Sequence, residues 1–459
     1  MTDKNFFRDI FVKAQKTAGT AAGIEIFADK SADTTIVWSD RKLEDFYISE
    51  SQGVGIKIIK NGKSGFAYTN NFNEQATDDL ISSALKNSEF LQQDEYVSLA
   101  IPSKTPGRSE LDICDDSFGK EPLEKRISLI KKMEDIALAN NKIKNVVRAI
   151  YSESLGETHI INSNGLELSA RGTVFSYGIS CVASDGKEIQ VGGESSVKRI
   201  FKGIDFETVT NDAVKNSVDL LGAKKINTGN YSVVFNQNVA CEFLSLLDSS
   251  FSAYSVQKNV SLLKEKLNKK VCSDKLDIID DGTLSGGVAT SSFDDEGTPS
   301  QKTVLIEKGV LKNYLYDLYT ANRDNVKSTG NSSRSYSGIS RPAPTNIYIQ
   351  KGNLSFNELL ESIAGGGLLI TETMGMHNAD AVSGEFSVGV NGFFVENGIK
   401  KFPIHGITIA GNILDLFSSI VGVGNDLRFY GNMGSPSLLV NRLSVAGESC
   451  VFSTDADKL

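Results

Sequence analysis

The chain has 459 residues, 40% of them hydrophobic and 23% charged, a composition typical of a folded protein with room for two or three domains. Its net charge of −9 is small for this length and its basic residues form no long block, so the sequence shows no nucleic-acid-binding surface. Five widely spaced cysteines without a CxxC pair argue against a disulfide framework and a zinc ribbon. No apolar run approaches the ~20 residues of a membrane span, and the amphipathic N-terminal segment is unlike a signal peptide. We therefore expect a cytoplasmic protein.

The first half of the chain alternates between helical and strand patterns. Apolar residues at helical spacing predict a helix near 7–14 and a second one near 80–91, and Pro122 is suited to open a third. Period-two alternation predicts strands over 24–68, with a hairpin turn at Asn61-Gly62, and strands resume over 146–184. A further helix is predicted near 205–222.

The apolar pattern is interrupted between Gly222 and Gly229, where the sequence reads GAKKINTG. This interruption predicts an N-terminal α+β domain over 1–225, with sub-segments of about 1–95 and 120–225, and a second domain over 226–459. The fold class expected is α+β, with two strand-rich domains whose long sheets are largely antiparallel or mixed and carry flanking helices.

The second half opens with a strand, YSVVF, followed by a segment with a helical apolar stripe. Asn238 is predicted to cap this helix, and Phe243, Leu244 and Leu247 are predicted to be buried. Further helices are expected for the basic run LLKEKLNKK (262–270) and near 355–363 and 412–420. Hairpin turns are predicted at 308–309 and 397–398, and the glycine run 365–367 is interpreted as a helix C-cap.

Histidine chemistry can be surveyed completely, because the chain has three histidines. His159 and His405 lie in strand-like segments, where a structural role is expected. His377 lies in a polar loop with Asp380 and Ser383, so a hydrolase site built on these three residues is one alternative. Residues so close within one loop seldom reach the geometry of a triad, and a structural role is the simpler interpretation.

Two acidic runs are also candidate sites. The run FDDEGTP places three consecutive carboxylates at residues 294–296, and Asp280-Asp281 is a weaker pair. Calcium and magnesium bind oxygen ligands, but adjacent acids point in different directions, whereas a cation needs several ligands at defined geometry. We therefore expect a solvated acidic turn before the strand TVLIE.

Several long strings resemble one known family. They are GVGIKIIKNGKSGFAYTNNF in the first half, and DDEGTPSQKTVLIEKGVLKNYLYD, GNSSRSYSGISRPAPTNIYI, SGEFSVGVNGFFVENG, ITIAGNI and VGNDL in the second. These strings are similar to the TldD/PmbA family, once called modulators of DNA gyrase. In its TldD branch, an HExxxH motif on a helix after a strand and a later cysteine hold zinc, and the glutamate takes a proton from the metal-bound water.

This sequence departs from the zinc motif of the TldD branch. Aligned from YSVVF without gaps, the three motif positions fall at Ser245, Leu246 and Ser250, and the cysteine position falls near Met433. None of these residues supplies an imidazole, a thiolate or a carboxylate. The resemblance therefore implies the PmbA branch, also called TldE.

What the resemblance implies is a non-catalytic subunit that binds no metal or cofactor itself. It would pair with a TldD-type chain, which carries the zinc, to form a peptidase acting on unfolded or leader peptides. A homodimer is also possible, and direct contact with nucleic acid or membrane is not expected. Besides the hydrolase alternative, a gyrase-associated regulatory protein is the third hypothesis, suggested by the family's older name.

Overall fold

The computed structural model describes residues 4–105, 107–363 and 365–447, so Cys450 lies outside the described residues. It has the predicted α+β architecture, with three six-stranded sheets and flanking helices. No helix within the described ranges is long and apolar enough to cross a membrane.

The first half forms one six-stranded antiparallel sheet, in the strand order β3-β2-β1-β4-β5-β6. Its strands are β1 (Gly23–Ser39), β2 (Lys42–Lys60), β3 (Lys63–Thr69), β4 (Ile143–Asn162), β5 (Glu167–Ser184) and β6 (Ile189–Lys198). Its helices are α1 (Lys4–Ala18), α2 (Glu74–Phe90), α3 (Arg108–Leu111), α4 (Leu123–Leu138) and α5 (Phe206–Val218), with a 3₁₀ turn at Phe201–Gly203.

Two apolar cores cover this sheet. Helices α1 and α2 pack on β1 and β2 around Ile24, Ile26 and Ile56, and helices α4 and α5 pack on β4 and β5 around Tyr151 and Phe175. Strands from both predicted sub-segments therefore share one sheet.

The second half contains two further six-stranded sheets, both mixed, in the orders β10-β9-β8-β13-β19-β18 and β16-β15-β14-β7-β20-β17. Their strands, with the separate pair β11 and β12, are β7 (Gly229–Phe235), β8 (Ile278–Asp281), β9 (Lys302–Glu307), β10 (Val310–Leu311), β11 (Ser332–Ser333), β12 (Arg341–Pro342), β13 (Ile347–Ile349), β14 (Gly366–Met374), β15 (Glu385–Glu396), β16 (Ile399–Asn412), β17 (Ile420–Val423), β18 (Arg428–Tyr430), β19 (Met433–Ser435) and β20 (Leu438–Ala446). The helices are α6 (Gln237–Ser245), α7 (Asp248–Phe251), α8 (Ala253–Gln257), α9 (Leu318–Asp324), α10 (Phe356–Glu361) and α11 (Ile413–Ser418), with a 3₁₀ turn at Met376–Asn378.

No described sheet mixes strands of the two halves, although an isolated bridge joins Lys224 to Ile404. The proposed domain limits themselves stay a prediction. The three predicted hairpins are confirmed: both turn residues at 61–62, 308–309 and 397–398 have positive φ, between 45° and 77°. That conformation matches the twist of the strands that these turns join.

Three local predictions are wrong. The basic run 262–270 forms turns, because Glu265 and Asn268 adopt left-handed φ values of 60° and 63°, which an α-helix excludes. The glycine run 365–367 caps no helix: α10 ends at Glu361, and Gly365, at φ 80°, leads into β14. Asn238 is also not the cap of its helix. That role belongs to Asn236, whose side chain accepts a hydrogen bond from the Val239 amide at 2.9 Å.

The acidic run 294–296 is not a solvated turn. Asp294 is 7% exposed and Glu296 is 3% exposed, because the turn is buried against the sheet of the first half. Asp294 accepts backbone hydrogen bonds from its own turn and from Ser332, while Lys57 of β2 lies 3.8 Å from Glu296. The earlier expectation failed because the cation and the covering sheet come from distant parts of the sequence.

Arg334 completes this contact between the halves. Its guanidinium donates to Glu25 of β1 at 2.8 Å and to the Asp295 carbonyl oxygen, and it stacks 4.4 Å from the Phe27 ring. Lys57 lies 3.3 Å from the same Glu25 carboxylate. We call Glu25, Lys57, residues 294–296 and Arg334 the acidic joint.

Candidate functional site

Helix α6 follows the central strand β7, and its apolar side is buried as predicted. Phe243 is 1% exposed, stacks on Phe235 at 5.0 Å between ring centroids, and meets Phe386 of β15 edge-on at 5.0 Å. Leu244 and Leu247 are buried in the same core. Because the apolar side of α6 packs into this core, the polar side of the helix faces away from it.

The residues at the predicted zinc-motif positions point in different directions. Ser245 is exposed and donates its hydroxyl to the Glu242 carbonyl oxygen of its own helix at 2.6 Å. Leu246 belongs to the apolar core, and the buried Ser250 hydroxyl accepts from the Leu262 amide at 3.3 Å. Zinc in a catalytic site takes three ligands from His, Cys or carboxylate, so these residues do not fit the metal.

The remaining acids and thiols of the described ranges do not form such a site either. No group of three or more His, Cys, Asp or Glu side chains there has the arrangement that would hold a metal ion. Asp280, for example, is bound by Asn331 at 2.7 Å and by the Thr345 amide and hydroxyl at 2.6 and 2.9 Å. These neutral donors give Asp280 a structural role on β8.

The segment around Met433 does meet helix α6. The Cys241 sulfur lies 3.6 Å from the Met433 carbonyl oxygen, so Cys241, one turn before Ser245, is the helix residue in hydrogen-bond contact with this segment. Burial raises the pKa of the Cys241 thiol to about 12. The thiolate is the form that ligates metals, and it is disfavoured here.

Glu242 is a functional candidate that sequence reasoning missed. Its carboxylate accepts hydrogen bonds from Asn238 at 3.2 Å and from the Thr373 hydroxyl of β14. Burial raises its pKa, and the nearby Glu372 charge adds to this effect, while the two hydrogen bonds oppose it. Asn238 and Glu242 are four residues apart, a spacing that places both on one face of a helix, but the contact with Thr373 leaves no signal in the sequence.

A cleft of about 910 Å³ lies beside the start of α6, between the two halves. One wall comes from β4, β5, β6 and α5 of the first half, and the other from α6, α10, β14, β15, β16 and β18 of the second half. The lining residues include Gly192, Gly193, Glu194, Asp212, Asn236, Gln237, Asn238, Leu369, Glu372, Phe393, Lys400, Asp426, Arg428 and Tyr430. The cleft therefore combines charged, amide and aromatic groups from both halves of the molecule.

Arg428 joins the two walls of the cleft by ion pairs. Arg428 of β18 lies 3.4 Å from Glu194 of β6 and 3.6 Å from Asp212 of α5. Gln237, at the start of α6, donates to the Asp426 carboxylate at 2.7 Å. Lys400 lies 4.8 Å from the Phe393 ring, and burial lowers its pKa.

Strand β6 is an outer strand of its sheet and pairs only with β5 among the described strands. The Ser195 backbone amide donates to the Glu194 side chain at 3.0 Å and not to β5, and the Gly193 carbonyl oxygen accepts from the Asn216 side chain of α5 at 3.1 Å. Residues 192–197 line the cleft along this edge. An edge of this kind can pair with an extended peptide through main-chain hydrogen bonds.

The structure brings together two of the three residues of the alternative hydrolase site. The Asp380 carboxylate accepts from the Val382 amide at 2.8 Å and from Ser383, and these hydrogen bonds lower its pKa. His377 is exposed in the 3₁₀ turn, and no hydrogen bond between it and Asp380 or Ser383 occurs among the described residues. This site stays a prediction.

The other two histidines lie on strands. His159 of β4 is buried, with Nδ1 2.7 Å from the Ser169 hydroxyl and its ring 5.5 Å from Phe7. His405 lies on β16, where its backbone amide donates to the Lys224 carbonyl oxygen.

Comparison with known proteins gives three consecutive family matches. Residues 24–88 match PmbA/TldA metallopeptidase domain 1, residues 116–221 match the central domain, and residues 228–447 match the C-terminal domain. An uncharacterized protein of Methanocaldococcus jannaschii is 34% identical over 90% of this chain and 94% of its own length.

Two better-described proteins agree with these matches. The metalloprotease PmbA of Escherichia coli O157:H7 is 26% identical over 96% of this chain and 97% of its own length. The crystal structure of a proposed modulator of a DNA gyrase from Thermotoga maritima superposes with a TM-score of 0.88 at 28% identity, covering 96% of this chain and 100% of that one. The chain therefore belongs to the PmbA/TldD metallopeptidase family.

Proposed function

We propose that this chain is a PmbA/TldE-type subunit of a metallopeptidase that acts on unfolded or leader peptides, and that it is itself non-catalytic. One observation carries the proposal: where the zinc motif of the TldD branch would lie, the chain has Ser245, Leu246 and Ser250, whose side chains cannot ligate zinc. In this proposal a TldD-type partner chain supplies the metal and its bound water.

The contacts of Cys241 suggest a second alignment of the same motif. Cys241, Glu242 and Leu246 also have the spacing of HExxxH, and in that alignment only the glutamate is retained. The buried, protonated thiol and the apolar Leu246 are no better as ligands. Both alignments therefore support a helix that has kept its place in the fold and lacks the residues of the metal site.

The part of the reaction left to this chain is peptide binding. The cleft beside α6 has the volume of a small-molecule or peptide site, and the outer edge of β6 runs along it. A peptide strand that pairs with this edge would replace the hydrogen bonds that the Ser195 amide now makes to Glu194 and that the Gly193 carbonyl oxygen now accepts from Asn216. Main-chain pairing reads no particular sequence, which suits a subunit that accepts unfolded peptides of varied composition. The mixed charges and aromatic rings of the walls would then select among side chains.

Peptide binding at this edge is tested by Ser195→Pro. Proline removes the Ser195 amide, while the ladder with β5 is kept, because that amide takes no part in it. We expect a fluorescent unstructured peptide to bind at least about tenfold more weakly, as measured by anisotropy, which corresponds to about 1.4 kcal/mol. Ser195→Ala, which keeps the amide, is the matched control. Equal binding by all three proteins would reject the cleft as the peptide site.

A further inference from the structure

A second cleft, of about 920 Å³, lies in the second half of the chain and shares no lining residue with the cleft beside α6. Its lining comes from the turns between α8 and β8, from α11 and from the start of β17. Five lysines line it: Lys264, Lys266, Lys269, Lys270 and Lys275. We call this site the lysine cleft.

The lysine cleft is positively charged, although the chain as a whole carries a net charge of −9. Its described lining includes two carboxylates, Glu265 and Asp274, against the five lysines, which leaves a local charge of +3. Lys264 lies 3.3 Å from Glu265, whereas the other four lysines form no ion pair or side-chain hydrogen bond with the described residues. Charges of one sign that line a cleft raise the local concentration of ions of the opposite sign.

The backbone that carries these lysines is held in place on both of its sides. The Val271 amide donates to the Gly309 carbonyl oxygen at 2.8 Å, and the Ser273 amide donates to the Phe417 carbonyl oxygen of α11 at 3.1 Å. A ligand would therefore have to order lysine side chains but not the backbone, and this lowers the entropic cost of binding.

Ser273 adds a neutral hydrogen-bond donor to the lysine cleft. It is one of the lining residues and is 8% exposed. Its hydroxyl oxygen accepts from the Lys275 amide at 3.3 Å, and its proton has no acceptor among the described residues. The hydroxyl can therefore donate to a ligand oxygen beside the lysine ammonium groups.

The residue types in the lining favour phosphate over carboxylate. The described lining contains lysines but no arginine, the residue whose planar guanidinium pairs bidentately with a carboxylate. Lysine binds as a point charge with three rotatable donors, which suits a multiply charged phosphate group. Four unpaired lysines around one cleft match a ligand that carries several negative charges on adjacent groups.

From these observations we propose that the lysine cleft binds a small ligand with a chain of phosphate groups, as in inorganic triphosphate or a nucleoside triphosphate. The volume of the cleft is that of a small-molecule site. Leu414, Ile420 and Val421 form an apolar part of the lining that can contact an uncharged part of the ligand. Binding here does not depend on zinc, on the cleft beside α6 or on a TldD-type partner.

The first test is isothermal titration calorimetry of the whole chain with inorganic triphosphate in metal-free buffer at low salt, with citrate as the carboxylate control. Triphosphate should bind once per chain, at least about tenfold more tightly than citrate, and its affinity should fall as salt is added because salt screens exposed charges. No binding of triphosphate, or equal binding of citrate, would overturn the proposal.

ATP and AMP distinguish the two sources of the phosphate chain. Tighter binding of ATP than of triphosphate would assign a nucleotide that also uses the apolar lining, and equal binding would assign the phosphate chain alone. Both results support the proposal. AMP binding as tightly as ATP would overturn it, because AMP has a single phosphate group.

The second test places the ligand in the lysine cleft. Lys269→Gln and Lys270→Gln should each weaken triphosphate binding by about tenfold, since each removes a charged donor. Asp274→Asn should strengthen binding by about threefold because it removes an opposing charge, a gain that a misfolded variant could not produce. Lys327→Gln, at an exposed lysine of the same half outside the cleft, is the matched control and should leave the Kd unchanged. Equal losses for all three lysine variants, or no gain for Asp274→Asn, would overturn the proposal.

Discussion

Replacing Arg334 with methionine tests whether the acidic joint holds the two halves together. Methionine keeps much of the side-chain volume but removes the donor that lies 2.8 Å from Glu25, in a site where both side chains are almost fully buried. Glu25 would keep only Lys57, 3.3 Å away, and the Asp295 carbonyl oxygen would lose its guanidinium donors. Breaking a buried ion pair by removing one partner costs about 3–5 kcal/mol, because the other charge is left uncompensated.

The free energy of unfolding is measured by urea denaturation, with the double variant Arg334→Met/Glu25→Gln completing the cycle. Because Glu25→Gln removes the orphaned charge, the double variant should be destabilised by less than the sum of the single variants, with a coupling of about 1–3 kcal/mol. Lys13→Met, at an exposed ion pair with Asp78, is the matched control and should change stability by less than about 1 kcal/mol. A loss below about 1 kcal/mol for Arg334→Met, with additive effects, would refute the reasoning.

Two further predictions concern the core and the pH dependence. Phe243→Ala should lower the free energy of unfolding by about 3–5 kcal/mol, because Phe243 is buried between Phe235 and Phe386. Ser245→Ala, on the exposed side of the same helix, should lower it by less than about 0.5 kcal/mol. Equally small losses for both variants would place Phe243 outside the core. Burial raises the pKa of Asp295 to about 6 and that of Glu296 to about 7, so these two carboxyls bind more protons in the folded chain than in the unfolded chain between about pH 4 and 7. Their contribution to the free energy of unfolding should therefore fall as the pH rises through this window, so Glu296→Gln should gain stability relative to the wild type between pH 4 and 7. A difference between the two proteins that stays constant across the window would contradict the assignment.

Local patterns predicted the elements that local interactions determine. The Asn-Gly pair at 61–62 predicted its hairpin because few residues other than Asn and Gly adopt positive φ at low cost. The stripe through Phe243 and Leu247 predicted the buried side of α6, because helical spacing alone places these residues on one face. The family resemblance, now confirmed, came from long strings, and three of them contain joint residues: Lys57, the run 294–296 and Arg334.

Predictions failed where the deciding partner is distant in sequence. The carboxylates at 294–296 looked solvated because nothing nearby marks the sheet that covers them or Lys57, which lies more than 200 residues earlier. The basic run 262–270 has a helical composition, yet Asn268 donates its backbone amide to Leu311 at 2.7 Å instead of continuing a helix. Glu242 was missed because its role depends on Thr373 of β14, which only the folded sheet brings to α6.

The central claim is that this chain contributes peptide binding and not the metal to a two-chain peptidase. The most direct measurement is the zinc content of the purified chain together with its cleavage of an unstructured peptide, alone and after addition of a TldD-type chain bearing HExxxH. We expect no stoichiometric zinc and no cleavage by the chain alone, and chelator-sensitive cleavage once the partner is present. Changing the partner's motif glutamate to glutamine should abolish that cleavage, which assigns the chemistry to the partner. Stoichiometric zinc and chelator-sensitive cleavage by this chain alone would contradict the claim.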